Sequence, residues 1–256
     1  EIIWFPDEIE VEKDLHDLKT NCTESEYHGV ISTLKLFTLY ELNVGNDYWQ
    51  NYISQVFPRP DIQRMAATFS FMELGVHAPF YNKINEVLGL DNEEFFNAYK
   101  EDVVLTNRMA WIGKRTEKRH TVYDILKSVG IFSMIEGAIL DEAVKDKQIT
   151  EEEIKKLTLE LEETTKVILE HEAVIIDKIF EKGSIKGITE NQLKHFVESR
   201  LDICLENLGF AGIFKPSYNP IKSWFYKDLE SSTLHDFFSS QGSDYNRAWS
   251  EGKFKW

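Results

Sequence analysis

Phe71-Met72-Glu73-Leu74-Gly75-Val76-His77-Ala78-Pro79-Phe80-Tyr81 sets an acid and an imidazole into a run that is otherwise apolar at helical spacing. Met65, Phe69, Met72, Leu74, Val76 and Phe80 mark the apolar sides of a helix predicted from Asp61 to about Leu88. Glu73 and His77, four residues apart, share one of its faces. Upstream, Glu41 interrupts the stripe Val30, Leu34, Phe37, Val44, Tyr48 of a helix predicted over 24–56. Downstream, Glu136 lies inside the apolar run from Val129 to Leu140. Taken singly, an acid in a stripe is ordinarily an edge residue, and a core histidine is ordinarily satisfied by a neighbour. Three helices each aiming a carboxylate inward are another matter, because a buried, unpaired carboxylate costs several kcal/mol. The conjunction points to a shared cation. Carboxylates with an imidazole suit iron or manganese and are a poor match to thiolate-type zinc binding.

The helix boundaries are written in capping residues. Thr23 with Glu26, Asp91 with Glu94, Thr150 with Glu153 and Thr189 with Gln192 have the spacing of capping boxes. Pro58 and Pro60 end the first long helix, and Asp61 is placed to cap the second. A helix near Asn92–Gly113 is expected next, then a basic turn (Lys114, Arg115, Lys118, Arg119), then Val122 to Leu140. The segment Thr150–Glu181 carries the near-heptad stripe Ile154, Leu157, Leu161, Ile168, His171, Ile175, Ile179, and Thr189–Leu208 is the last strong helix. Strand signals are weak throughout. The expected class is all-α, with a helical domain over 1–208 and a less regular C-terminal arm over 209–256.

Composition narrows the function. A net charge of -15 argues against binding a nucleic-acid backbone directly. No apolar run reaches the length of a membrane span. The acidic start is unlike a transit peptide and no secretory leader is expected. Cys22 and Cys204 form no zinc or redox spacing, so a reduced, cytoplasmic setting is expected.

Dinuclear carboxylate centres in four-helix bundles follow a formula: one Glu from each of two helices, and a Glu with a His one turn on from each of the other two. Glu41 and Glu136 fit the single-Glu helices, and Glu73 with His77 fits one Glu/His helix. Their spacing is one residue longer than Glu-x-x-His. Pro79 cannot donate to the carbonyl of Gly75, which leaves two geometries open: a π-bulge at Leu74–Gly75 that absorbs the extra residue, or an ordinary α-helix. Glu117 and His120 have the usual spacing but sit in the basic turn, where a solvated pair is expected.

These residues resemble the small (β, radical-generating) subunit of class I ribonucleotide reductase, in the ferritin-like superfamily. The resemblance rests on Leu39-Tyr40-Glu41, Val44 through Trp49, Phe71-Met72-Glu73 with His77 through Tyr81, and Met134-Ile135-Glu136-Gly137, in family order. Trp4 through Val11 resembles the family's N-terminal signature, and Phe237-Phe238 with Asp244 through Ala248 its last ordered stretch. The resemblance implies that Glu41, Glu73, His77 and Glu136 ligate a dinuclear iron or manganese centre. It further implies that Tyr81 bears the radical, that Trp4 relays the electron, and that the C-terminal arm docks on the large catalytic subunit. A homodimer is implied as well; the need for an activating flavoprotein is left open. Many members have Asp at the position of Glu41, a departure that keeps the carboxylate.

One departure is larger. The family's later Arg-Asp-Glu-x-x-His helix has no match, since Glu136 through Leu140 runs straight into Asp141. His171, His195 and His235 have no Glu three or four residues before them. A segment missing between Leu140 and Asp141 is expected, with a genuine deletion as the alternative. Two rival functions stay open on sequence: a ferritin-like dimetal oxidase of a small organic substrate, and a metal-poor docking or regulatory homologue.

Overall fold

The computed structural model describes residues 4–116, 147, 149–207, 209–216 and 221. Seven helices fall within them. A short α1 (Glu12–Thr20), which the capping signals do not announce, precedes the first of three long helices. That helix, α2, runs unbroken over 24–56, as an α-helix Glu24–Leu42, a π-helical stretch Asn43–Ile53 and a final turn Ser54–Val56. After three residues, α3 runs over 60–88 in the same tripartite way: α-helix Pro60–Phe71, π-helix Met72–His77, α-helix Ala78–Leu88. Then follow α4 (Glu93–Glu101), α5 (Val103–Thr116), α6 (Glu151–Ile179) and α7 (Glu190–Asn207). The described residues form no strand, only an isolated bridge between Ile185 and Ile188, and the class is all-α. No helix among them is long and apolar enough to cross a membrane.

Local chemistry explains most boundaries. Thr23 and Glu26 exchange the two bonds of a capping box at α2, as do Thr150 and Glu153 at α6. Thr189 and Gln192 do the same at α7. Gly89, at φ 74°, closes α3 in the left-handed conformation that a Cβ would strain. Two expected caps are corrected. Arg59 is the N-cap of α3 with Pro60 at its first position, and Asp61 turns back to pair with Arg59 at 2.8 Å. Asn92, rather than Asp91, caps α4 by accepting from the Phe95 N–H.

The single helix expected near Asn92–Gly113 is two helices broken at Asp102. Its carboxylate accepts from the N–H groups of Val104 and Leu105 and pairs with Lys178 of α6 at 2.5 Å. An acid that caps a helix start and binds a distant lysine cannot also continue the preceding helix. Lys114 belongs to the last turn of α5, where a basic turn was expected.

The core lies along α2. Tyr48, Trp49, Tyr52 and Ile53 pack against Ile62 and Ala66 of α3 and Leu157 and Leu161 of α6. Leu34 meets Phe80, Tyr81 and Leu88 of α3, and Leu36 meets Leu105 and Ile175. Burying each large side chain contributes about 1.5–3 kcal/mol. Asp202 of α7 is buried and accepts from three consecutive N–H groups past the helix, Ile213 at 2.7 Å, Phe214 at 3.0 Å and Lys215 at 2.7 Å. That one carboxylate pins the start of the C-terminal arm. Of the arm beyond Pro216, only Ile221 is described.

Candidate metal centre

Glu41, near the end of the α-helical part of α2, faces the π-helical part of α3. Of the two geometries open on sequence, the π-bulge is the one adopted: the Ala78 N–H donates to the carbonyl of Glu73, five residues back, across the stretch Met72–His77. The added residue brings Glu73 and His77 to one side. A ligand atom from each of Glu41, Glu73 and His77 lies within 4.8 Å of the other two. His77 Nδ1 is 2.9 Å from Glu73 Oε2 and 3.7 Å from Glu41 Oε2.

The approach of the two helices depends on Gly45, one turn past Glu41. A Cβ there would stand 2.6 Å from Leu74 Cγ and 3.0 Å from Glu73 Cβ. The backbone of α2 therefore rests directly on the turn of α3 that carries Glu73 and His77. The sequence announces Gly45 only as a small residue in a helix, and its role is visible only with both helices in place.

The electrostatics are those of anions held together out of water. Burial pushes Glu41 up to about 7, against the pull of His77. Burial also works against Glu73, but hydrogen bonding with His77 and Glu41 holds it below the usual carboxylate range. Contacts with Glu41 and then Glu73 lift His77 to about 9. At neutral pH a proton on His77 and part of one on Glu41 offset most of the cluster's negative charge. A divalent cation would replace them.

Tyr81, one turn after His77, is buried and stacks on Phe37 with ring centroids 5.1 Å apart. Burial, then the charges of Glu41 and Glu73, raise its phenol above the ordinary range. Trp4, on the N-terminal segment, stacks on His77 at 5.9 Å and meets Phe80 edge-on at 5.2 Å. Glu136 lies outside the described residues, as do Glu117 and His120.

A second buried polar group was not anticipated. Arg108 of α5 is 4% exposed, donates to Glu172 Oε1 at 2.6 Å and, through Nε, to the Tyr40 hydroxyl at 3.2 Å. The signal was an arginine among Leu105 and Ile112 at helical spacing. His171 packs edge-on to Trp111 at 5.4 Å beside this group and takes no part in the Glu41 cluster. It supplies no substitute for the unmatched Glu/His helix.

Comparison with known proteins agrees with this architecture. A family model described as ribonucleotide reductase, small chain, matches residues 1–141, ending at the junction where the expected helix is lost. The chain is 20% identical to a protein of Invertebrate iridescent virus 3 described as a probable ribonucleoside-diphosphate reductase small subunit, over 99% of this chain and 81% of the relative. That alignment spans 315 positions against 256 residues here, so the relative carries residues without counterparts in this chain. Among solved structures, the ribonucleotide reductase R2 subunit of Clostridium botulinum aligns with a TM-score of 0.74 at 16% identity, over 88% of this chain and 83% of its own. The dimanganese(II) NrdF of Streptococcus sanguinis aligns with a TM-score of 0.72 at 16% identity, over 86% and 89%. At such identities the likeness is one of fold, and the fold is the ferritin-like helical bundle of these subunits.

Proposed function

Because this chain belongs to the ribonucleotide reductase small-chain family, we propose that it is the radical-generating subunit of a class I ribonucleoside-diphosphate reductase. The observation that carries the reading is the convergence of Glu41, Glu73 and His77 from two helices, with Tyr81 one turn beyond His77 and Trp4 stacked upon it. Two carboxylates and an imidazole fit one ion of a dinuclear iron or manganese centre, and a dimanganese relative shares the fold. Glu136, a ligand by the family resemblance, would complete the set that holds the centre. A centre of that kind, once activated by an oxygen species, supplies the oxidising equivalent that takes one electron from Tyr81.

The chain's own residues prepare that step. The phenol of Tyr81 is held protonated by burial, so loss of its electron releases its proton. Glu41 and Glu73 are the carboxylates whose charge the phenol feels. Phe37 and Phe80 flank the ring. Trp4 extends the aromatic contact outward from His77, giving the oxidising equivalent a route toward the large subunit. On this reading residues 1–208 form the radical-generating domain and 209–256 the arm that docks on that subunit. A second copy of the chain completes the assembly.

A second reading is favoured by one observation. The family match ends at residue 141 and no Glu/His pair follows, so the chain as it stands offers four of the six ligands of the formula and would serve as a metal-poor docking homologue. One experiment separates the two. The metal-free protein is loaded anaerobically with iron or manganese, exposed to oxidant, and assayed for metal content and by electron paramagnetic resonance. About two metals per chain, with a tyrosyl signal that vanishes in Tyr81→Phe while metal content is kept, is the expected result. No metal under any loading condition, or a tyrosyl signal that survives Tyr81→Phe, would overturn the proposal.

A further inference from the structure

The N-terminal segment that carries Trp4 has little structure of its own to hold it in place. Its internal bonds are a single 3-10 turn at Pro6–Glu8 and a cap from Glu8 to the Phe5 N–H. It joins no sheet. Two things seat it on α3: the apolar side chains of Trp4 and Ile9, packed with Phe80, Tyr81 and Leu88, and the side chain of Lys83. The Lys83 ammonium donates to the carbonyl of Pro6 at 3.1 Å and to that of Ile9 at 2.9 Å. Those two carbonyls bracket the turn, and Pro6 is two residues from Trp4.

The arrangement is specific. Among the described residues Lys83 pairs with no carboxylate; its half-buried charge goes to main-chain oxygens of one segment. Hydrogen bonds from a charged donor are about twice as strong as neutral ones. His77, Phe80 and Lys83 follow one another at three-residue steps along α3. Trp4 rests on the first two, and the third grips the chain beside it.

We propose that Lys83 is a positioning residue that clamps the N-terminal segment to α3 and thereby sets the stacking of Trp4 on His77. The proposal rests on the reading of Trp4 as the route outward from the metal ligands. The clamp governs whether that ring keeps its contact, because a segment freed at Pro6 and Ile9 can swing Trp4 away without disturbing Glu41, Glu73 or Tyr81.

The test uses the full chain labelled with 5-fluorotryptophan, with Trp4→Phe identifying the Trp4 resonance. Lys83→Met keeps the apolar stem and removes the donor; Lys83→Arg keeps a donor. In Lys83→Met the Trp4 fluorine resonance moves toward its solvent-exposed position, and Lys83→Arg restores it. Metal content and tyrosyl yield stay at the wild-type level, while turnover with the large subunit falls by about tenfold or more, the scale of an ångström-sized misplacement. A Trp4 resonance that does not move in Lys83→Met overturns the clamp. Movement of the resonance with turnover unchanged upholds the clamp and removes Trp4 from the route, so the two ideas fail separately.

Discussion

Gly45→Ala tests whether the ligand cluster depends on backbone contact between α2 and α3. The added methyl would stand 2.6 Å from Leu74 Cγ, 2.9 Å from Leu74 Cδ2 and 3.0 Å from Glu73 Cβ. Carbon atoms in van der Waals contact lie about 3.5–4.0 Å apart, so the helices must separate locally by about 1 Å. Glu73 Cβ is fixed to the main chain, and Leu74 Cγ moves only by a change of χ1 rotamer within a packed helix interface. Overpacking of this kind costs about 1–3 kcal/mol, offset by up to about 1 kcal/mol because alanine favours helix over glycine. The change in stability is therefore small. The change in metal binding is not, because metal–ligand distances tolerate only about 0.2 Å and Glu41 lies across the gap from Glu73 and His77. The assay pairs urea denaturation of the metal-free protein with titration of manganese or iron. The control is Gly113→Ala on α5, where a Cβ meets nothing within 4 Å; it should be neutral or stabilising and leave metal binding intact. Unchanged metal affinity in Gly45→Ala would refute the idea that this contact sets the ligand geometry.

Three further outcomes are expected. Replacing Arg108 by Met strands Glu172 half-buried, and should destabilise the protein by about 3 kcal/mol in urea; the double replacement with Glu172→Met should recover most of that loss. Metal-free stability should fall as pH rises from about 6 to 9.5, by about 1–2 kcal/mol once solvent screening of His77 is allowed for. The sign follows from Glu41 and His77, whose folded values of about 7 and about 9 lie above their unfolded ones, so each stabilises at low pH and loses that effect as pH climbs through its folded value. Thermal melts across that range should be steeper in pH for the wild type than for a Glu41→Gln, His77→Gln double variant. Asp202→Ala removes the acceptor of three N–H groups and should cost about 3 kcal/mol, with limited proteolysis newly cutting between 209 and 216.

Much of the ligand cluster was legible because its signals are short in range. Glu41 and Glu73 stand out as acids in apolar stripes. The extra residue between Glu73 and His77, with Pro79 just beyond, leaves open the π-turn that Met72–His77 adopts. The longer π stretch Asn43–Ile53 had no such signal. It contains no proline and no altered ligand spacing, and it appears where α2 packs against both α3 and α6. The break at Asp102 was missed for a related reason: its cause, Lys178, lies on α6, far along the chain.

By itself, then, the sequence determined the helical class, the course of the long helices and that Glu41 and Glu73 turn inward, because caps and stripes act within one or two turns of a residue. Tertiary structure decided how closely those helices approach, through a glycine whose importance exists only against Leu74. It also decided where Trp4 rests, through a lysine 77 residues from the Pro6 carbonyl it grips, and how Arg108 is neutralised, through a partner on another helix. Each of these is a contact between segments remote in the chain, and no local pattern of residues encodes the distance across which they meet.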